Sequence, residues 1–283
     1  VTTPATTPAA AASPAVDLYL DVMAKVLTRY GFEGRNASVR FKPRSYEGYL
    51  WRMVRNATRD RDLRVVEPGE LDREARENGR DWPADAESMV GLKRLANVRH
   101  CLESVLADSV PGDFVETGAW RGGTCIYARA VLAAHGVTDR DVWVADSFEG
   151  LPAPDGRFAA DAGDQHHVEP DLAVSVEQVQ DNFRRYDLLD DHVRFLVGWF
   201  ADTLPTAPIE QVAVLRLDGD MYSSTIDGLE PLYDKVSTGG YVVVDDYGAV
   251  KGCAQAIHDF RARRGITDEL VPIDWAGVYW RKS

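Results

Sequence analysis

From residue 113 onward the chain repeats one unit: a short run rich in Val, Ile and Leu, a polar or glycine turn, then a stretch of helical length. The runs are DFVET (113–117), VWVADSF (142–148), HVRFLVGW (192–199), VAVLRLD (212–218) and YVVVDDY (241–247). Helical patterns follow the first, fourth and fifth at 124–136, 224–236 and 252–265, and a fourth lies at 175–189 after a polar stretch at 149–171. Near-continuous apolar strands that alternate with helices predict an α/β fold, a mostly parallel sheet with helices on both faces. ELVPIDWAGVYWRK (269–282) reads as two more strands in an antiparallel hairpin, which brings the sheet to seven.

In such an open sheet, ligands bind outside the carboxyl ends of the strands. All five runs deliver polar or glycine residues there: Glu116-Thr117-Gly118, Asp146-Ser147-Phe148, Gly198-Trp199-Phe200, Asp218-Gly219-Asp220 and Asp245-Asp246-Tyr247. ETGAWRGGT is a glycine turn that lets a ligand approach the backbone, and Gly122-Gly123 opens the next helix. It is not a dinucleotide GxGxxG, because Trp120 stands at the middle glycine position, which disfavours an NAD oxidoreductase. An acid at the end of the second strand, Asp146, is placed to bind ribose hydroxyls. Trp199 and Phe200 offer stacking surfaces for a base.

The acids at the last two ends need compensation, since desolvated carboxylates repel one another. If those strands are neighbours, Asp218, Asp220, Asp245 and Asp246 converge. Oxygen-only ligands suit Mg²⁺ better than zinc. DGD and DDYG are also ordinary turn sequences.

The rest of the chain sets bounds. With 283 residues, 45% hydrophobic and 27% charged, it is long enough for one large α/β domain with an appendage. A net charge of −13 disfavours nucleic acid and anionic membrane as partners. The three cysteines form no CxxC pair, so neither a disulfide framework nor a structural zinc is expected. No apolar run approaches the roughly 18 residues of a membrane helix. Residues 1–15 read as a disordered Thr/Pro/Ala tail rather than a signal peptide, and the protein is expected in the cytoplasm. A helix is predicted at 17–30, another at 45–58, and no strand over 31–81, so 16–81 reads as an N-terminal helical cap. A long helix is predicted over 82–110, closed by Pro111-Gly112. Tyr46, Tyr49 and Trp51 are candidates for a subunit contact in a homo-oligomer or for a cap over the site.

GDFVETGAWRGGTCIYARAVLAAHGVTDRDVWVADSFEGLP (112–152), LLDDHVRFLVGWFADTLP (188–205), LRLDGDMYSST, GGYVVVDDYG and DWPADAESMVGLKRLANV (81–98) closely resemble the macrocin O-methyltransferase family, over roughly residues 45 to 283. The resemblance implies a class I methyltransferase Rossmann-like fold with a lid insertion, in a domain spanning 82–283. It implies an S-adenosylmethionine- and Mg²⁺-dependent enzyme that methylates a sugar hydroxyl of a glycosylated natural product in antibiotic biosynthesis. Carried over, Glu116, Thr117, Gly118 and the Trp120-Arg121-Gly122-Gly123 backbone hold the methionine end of the cofactor. Asp146 binds the ribose with Ser147 and Phe148 beside it, and Gly198 and Trp199 flank the adenine. Asp218, Asp245 and Asp246 ligate the metal. Asp220 is the general base, with Asp218 able to exchange roles with it. Residues 157–175 form the lid, where His166 and His167 reach substrate, as does Tyr222.

The principal rival is a metal-dependent glycosyltransferase that uses Asp218-Gly219-Asp220 as a DxD element for a nucleotide sugar. That element leaves the ETGAWRGG turn and the position of Asp146 unexplained.

Overall fold

The computed structural model describes residues 13–32, 35–38, 45–57, 66–154 and 156–283. Seven strands form one sheet: β3 (Asp113–Thr117), β4 (Val142–Asp146), β5 (Val193–Val197), β6 (Val212–Leu217), β7 (Val236–Val244), β8 (Val271–Pro272) and β9 (Val278–Arg281). Their order is β5-β4-β3-β6-β7-β9-β8. The first five are mutually parallel, and β9 is antiparallel to both β7 and β8. The chain starts the sheet in the middle, moves to one edge, then returns to β6 beside β3. That reversal makes a switch point between β3 and β6, where an open α/β sheet forms its ligand crevice.

Alternation along the strands feeds two cores. Phe114, Val144, Val214, Tyr241 and Val243 face one core, shared with α4 (Leu92–Ala107), α5 (Gly123–Ala134) and α6 (Val176–Arg185). Val115, Trp143, Ala145, Leu215, Val242 and Val244 face the other, shared with α8 (Tyr222–Leu232) and α9 (Lys251–Arg264). Burial on both faces explains why these strands read as unbroken apolar runs. The N-terminal helix α1 (Pro14–Leu27) belongs to the first core through Leu20, Met23, Ala24 and Leu27. Ser13 caps it and Pro14 sits at its first position, so it begins and ends three residues before the predicted 17–30.

Three expectations differ from the structure. Residues 31–81 contain, besides α2 (Tyr46–Ala57) and the short α3 (Arg73–Glu77), an antiparallel strand pair, β1 (Arg35–Ser38) with β2 (Val66–Gly69). Four-residue strands reading RNAS and VEPG carry no alternation to detect. The helix placed at 82–110 occupies only 92–107. Buried arginines draw on the carbonyls of the preceding segment: Arg76 donates to Asp81, Met89 and Val90, and Arg121 to Ala84 and Ala86. The strand placed at 241–247 starts five residues earlier, at Val236, with a register irregularity between Val212 and Val214 on its partner. Of the three N-terminal aromatics, Tyr46 and Tyr49 are exposed while Trp51 is half-buried. The tail at 1–15 falls outside the described residues except at its last three positions.

Candidate active site

The strand register builds the site. Each parallel ladder continues one residue past the strand ends: Gly198 N–H donates to the Asp146 carbonyl, Gly118 to Ala145, Asp218 to Thr117 and Asp245 to Leu217. Gly198, Asp146, Gly118, Asp218 and Asp245 therefore stand in a row along the carboxyl edge. Above it opens a cleft of about 810 Å³. Gly118 has φ +96°, and a Cβ there would lie 1.7 Å from the Asp218 carbonyl oxygen, so only glycine lets the first turn pack on the fourth. In the turns after β3, β4 and β6, Trp120, Phe148 and Asp220 adopt φ of 50°, 58° and 58°. Non-glycine residues in this region are held there by their surroundings and cluster at functional sites.

Asp218, Asp245 and Asp246 each offer one oxygen, all within 4.8 Å of one another. Their charges are managed by two arginines. Arg216, inside β6 and fully buried, donates to Glu116, Asp218 (2.7 Å) and Asp245. Arg94, from α4, donates to Asp245 and to Asp274 (2.8 Å). Burial would raise the Asp245 carboxyl, but Arg216 and Arg94 outweigh it and hold that group below the usual range. Burial and the neighbouring Asp245 push Asp218 up to about 8. Burial, then Asp220 and Asp218, push Asp246 well above the usual range. No ion pair to Asp246 exists among the described residues, and its Oδ2 accepts from the Asp220 N–H (3.1 Å). Asp220 is raised to about 6, by burial first, with Asp245 and Asp164 adding and His166 opposing. A cluster of this kind binds protons or a cation.

Asp146 lines the cleft, and its carboxylate also fastens the first turn: it accepts from Ala119 (2.7 Å), Trp120 (3.2 Å) and Phe148 (2.8 Å) N–H groups. Gly118, Trp120, Ser147, Trp199 and Phe200 line the same end. Other expected residues lie behind the wall. Glu116 is buried against Arg216 and the Cys125 thiol (2.6 Å), and Thr117 is buried beside it. Gly123 donates its N–H to Glu87, so the first turn of α5 faces protein rather than the cleft. A Cβ on Gly122 would meet Val179 at 2.7 Å. The Arg121 guanidinium serves the 84–86 carbonyls, Phe148 packs against Phe195, and Gly198, His167 and Tyr222 do not reach the cleft either.

His166 does line it, held by Asp164 at 2.8 Å. The insertion between β4 and α6 is closed over the sheet edge by three ties. Both Asp161 oxygens accept from the first N–H groups of α8, at Tyr222 (2.7 Å) and Ser223 (2.9 Å). Arg157 pairs with Asp227 through two bonds. The Trp120 indole donates to the Asp171 carbonyl at 2.8 Å. Arg94, Arg216, Asp161 and Asp274 are site residues that sequence reasoning missed. Only Arg216 carried a signal, a charge inside an otherwise apolar strand.

The family model of Macrocin-O-methyltransferase (TylF) matches residues 16–282. The chain belongs to the macrocin O-methyltransferase family. Its relatives include the demethyldecarbamoylnovobiocin O-methyltransferase of Streptomyces niveus, 50% identical over 272 residues, covering 94% of each chain. The mycinamicin III 3''-O-methyltransferase of Micromonospora griseorubida is 54% identical over 214 residues, covering 74% of this chain and 84% of that one. The structure of the O-methyltransferase NovP superposes with a TM-score of 0.81 at 48% identity, covering 95% of this chain and 99% of NovP. The calicheamicin methyltransferase CalS11 shares the fold at 16% identity, with a TM-score of 0.57, covering 99% and 98% of the two chains. The protein is therefore an O-methyltransferase with a Rossmann-like α/β fold, and the nucleotide-sugar transferase reading of Asp218-Gly219-Asp220 falls away. Among the described residues no helix is long and apolar enough to cross a membrane.

Proposed function

We propose that this methyltransferase moves the methyl group of S-adenosylmethionine to a sugar hydroxyl of a glycosylated natural product in antibiotic biosynthesis, with a magnesium ion at the acid cluster. The observation that carries the reading is the convergence of Asp218, Asp245 and Asp246 within 4.8 Å on a cleft whose other end is walled by Gly118, Asp146 and Trp199. Three carboxylates without His or Cys suit a hard cation, and each carboxylate retains lone pairs beyond those given to the arginines. Asp218, Asp245 and Asp246 would hold the ion, which when bound polarises an acceptor hydroxyl and eases its deprotonation.

The remaining work falls to the chain. Asp220 faces the cleft with a carboxyl raised to about 6, close enough to neutrality to take the hydroxyl proton at its carboxylate oxygen. Asp146 has the position for ribose hydroxyls and Trp199, 37% exposed, for the adenine. The tied lid excludes water and keeps donor and acceptor in line. Glu116 accepts from Arg216 and offsets part of its charge beside the cluster, rather than touching the methionine end. A cytoplasmic site of action and a homo-oligomer using the exposed Tyr46 and Tyr49 belong to the same proposal.

The test is calorimetric titration with S-adenosylhomocysteine and with UDP-glucose, each with and without Mg²⁺, followed by methyl transfer to demethyldecarbamoylnovobiocin and mycinamicin III. Binding of the homocysteine product alone, with transfer lost in EDTA, is expected. Binding of the nucleotide sugar alone, or transfer indifferent to EDTA, would overturn the assignment.

A further inference from the structure

Two indoles line the cleft and are partly exposed: Trp275 is 43% exposed and Trp82 is 48% exposed. Neither is part of the two buried cores. A half-exposed tryptophan inside a concave site offers a large apolar face to a ligand.

The place of Trp275 follows from the register. β9 runs antiparallel to β7 with Val278 opposite Val244, so the turn before β9 emerges beside Asp245 at the same sheet edge. Gly248 N–H donates to the Ala276 carbonyl at 2.8 Å, and a Cβ on Gly248 would sit 2.3 Å from the Trp275 carbonyl oxygen. The turn is rigid. Asp274 Oδ1 accepts from Ala276 (2.9 Å) and Gly277 (2.8 Å) N–H groups, and its Oδ2 accepts from Arg94. Arg94 donates in turn to Asp245, and its guanidinium carbon lies 5.7 Å from the centre of the Trp275 ring. Trp275 is thus one guanidinium away from the acid cluster. Its polar edge is already committed, because Nε1 donates to the Asn78 carbonyl at 2.7 Å. Arg80 also lies over the ring, its guanidinium carbon 5.7 Å from the centre, so what remains for a ligand is the exposed part of the ring that the two arginines leave uncovered.

That face is at the wrong end for the methyl donor. Asp146, Trp120 and Trp199 belong to the β3–β5 side of the row, whereas Trp275 stands beyond β7. A pyranose has a C–H face and a rim of hydroxyls. The acids Asp218, Asp220, Asp245 and Asp246 suit the rim, and Trp275 suits the C–H face. We propose that Trp275 is the platform on which the acceptor's sugar ring stacks, and that the Asp274–Arg94–Asp245 chain fixes the distance from that platform to the acid cluster. This rests on the sugar-hydroxyl reading above.

The experiment uses the full chain saturated with S-adenosylhomocysteine and Mg²⁺, with methyl α-L-rhamnopyranoside as the probe in ligand-detected NMR. Wild type, Trp275→Phe and Trp275→Ala are compared. All three are expected to bind S-adenosylhomocysteine alike, which shows an intact fold. The glycoside Kd should rise about tenfold in Trp275→Ala, equivalent to ~1.4 kcal/mol, and about threefold or less in Trp275→Phe, which keeps an aromatic face. Equal glycoside affinity in the three proteins overturns the proposal, and so does the absence of glycoside binding to a saturated wild type. Failure of wild type to bind S-adenosylhomocysteine sinks the cofactor assignment instead. Should Trp275→Ala not fold, the Phe variant and wild type still decide: a rise of tenfold or more with Phe counts against stacking and for a contact unique to the indole.

Discussion

Asp245 and Asp246 are adjacent carboxylates on one strand end, yet replacing each by asparagine should move stability in opposite directions. Asp246 has no cationic partner among the described residues and lies within 4.8 Å of the Asp218 and Asp245 ligand oxygens. Two unit charges at that distance repel by ~3.5 kcal/mol at an effective dielectric of 20. Protonation of the cluster already relieves part of this at neutral pH, so Asp246→Asn should stabilise the metal-free protein by ~1–2 kcal/mol. The asparagine oxygen still accepts the Asp220 N–H. For a chain of this size each kcal/mol is worth about 2 °C, which predicts a Tm higher by about 2–4 °C in EDTA. Asp245→Asn instead strips the shared partner from buried Arg94 and Arg216, a loss of about 3–5 kcal/mol. Differential scanning fluorimetry with EDTA or Mg²⁺ reads both. Wild type should gain Tm with Mg²⁺ by mass action, and Asp246→Asn should lose that gain together with methyl transfer. A destabilised Asp246→Asn in EDTA, or one that keeps the full Mg²⁺ shift, would refute the account of the cluster.

The same acids set a pH dependence. Asp218 at about 8, Asp220 at about 6 and the still higher Asp246 bind protons in the folded state that the unfolded chain has released above about pH 4, so stability should fall as pH rises from about 5 to 8. Asp245, lowered from 3.8, contributes with the opposite sign but only below that window. In fluorimetry the EDTA-treated protein should therefore melt lower at about pH 8 than at about pH 6, and the Mg²⁺ gain should be larger at about pH 8; the reverse order would contradict the raised carboxyls. Asp161→Asn removes the charge and one of the two acceptors that hold the lid on α8, and should raise acceptor KM several-fold and speed proteolysis within 156–175, while leaving stability within about 1 kcal/mol of wild type. A Tm loss without any change in proteolysis would make Asp161 a plain helix cap. Gly118→Ala drives a Cβ into the Asp218 carbonyl at 1.7 Å, so S-adenosylhomocysteine binding and Mg²⁺ response should be lost together; retention of either would separate the two ends of the cleft.

Strand position and the chemistry of strand ends were legible because both follow from local rules. Doubly buried parallel strands are mostly apolar, and residues just past their carboxyl ends stand at the edge where the crevice opens. That is why Asp146, Asp218, Asp220, Asp245 and Asp246 stand out of the sequence and do line the cleft. What failed to show were interactions paid for across long separations. Nothing within LKRLANV marks Arg94 as the partner of Asp245, 151 residues away, and Asp274 reads as an ordinary turn residue although it ties Arg94 to the same cluster. Glu116 misleads for the same reason: its place at a strand end suggests a ligand, but strand alternation turns its side chain under the floor, where Arg216, 100 residues on, meets it.

Arg216 shows why the long-range partners belong to the chemistry. A cluster of carboxylates strong enough to bind a divalent ion would be too repulsive to fold around without one. A cluster fully neutralised by cations would no longer bind it. Arg216 and Arg94 both lean on Asp245, and among the described residues no cation pairs with Asp246, so the Asp245 carboxyl is held below the usual range while the Asp246 carboxyl is pushed well above it. Under the proposed magnesium assignment, this division lets the fold tolerate the metal-free state and still bind the ion. That division predicts that Arg94→Met, which relieves Asp245 of one cation, should tighten Mg²⁺ binding while lowering metal-free stability. Weaker Mg²⁺ binding in a variant that still folds would show that Arg94 orients the cluster rather than competing with the ion.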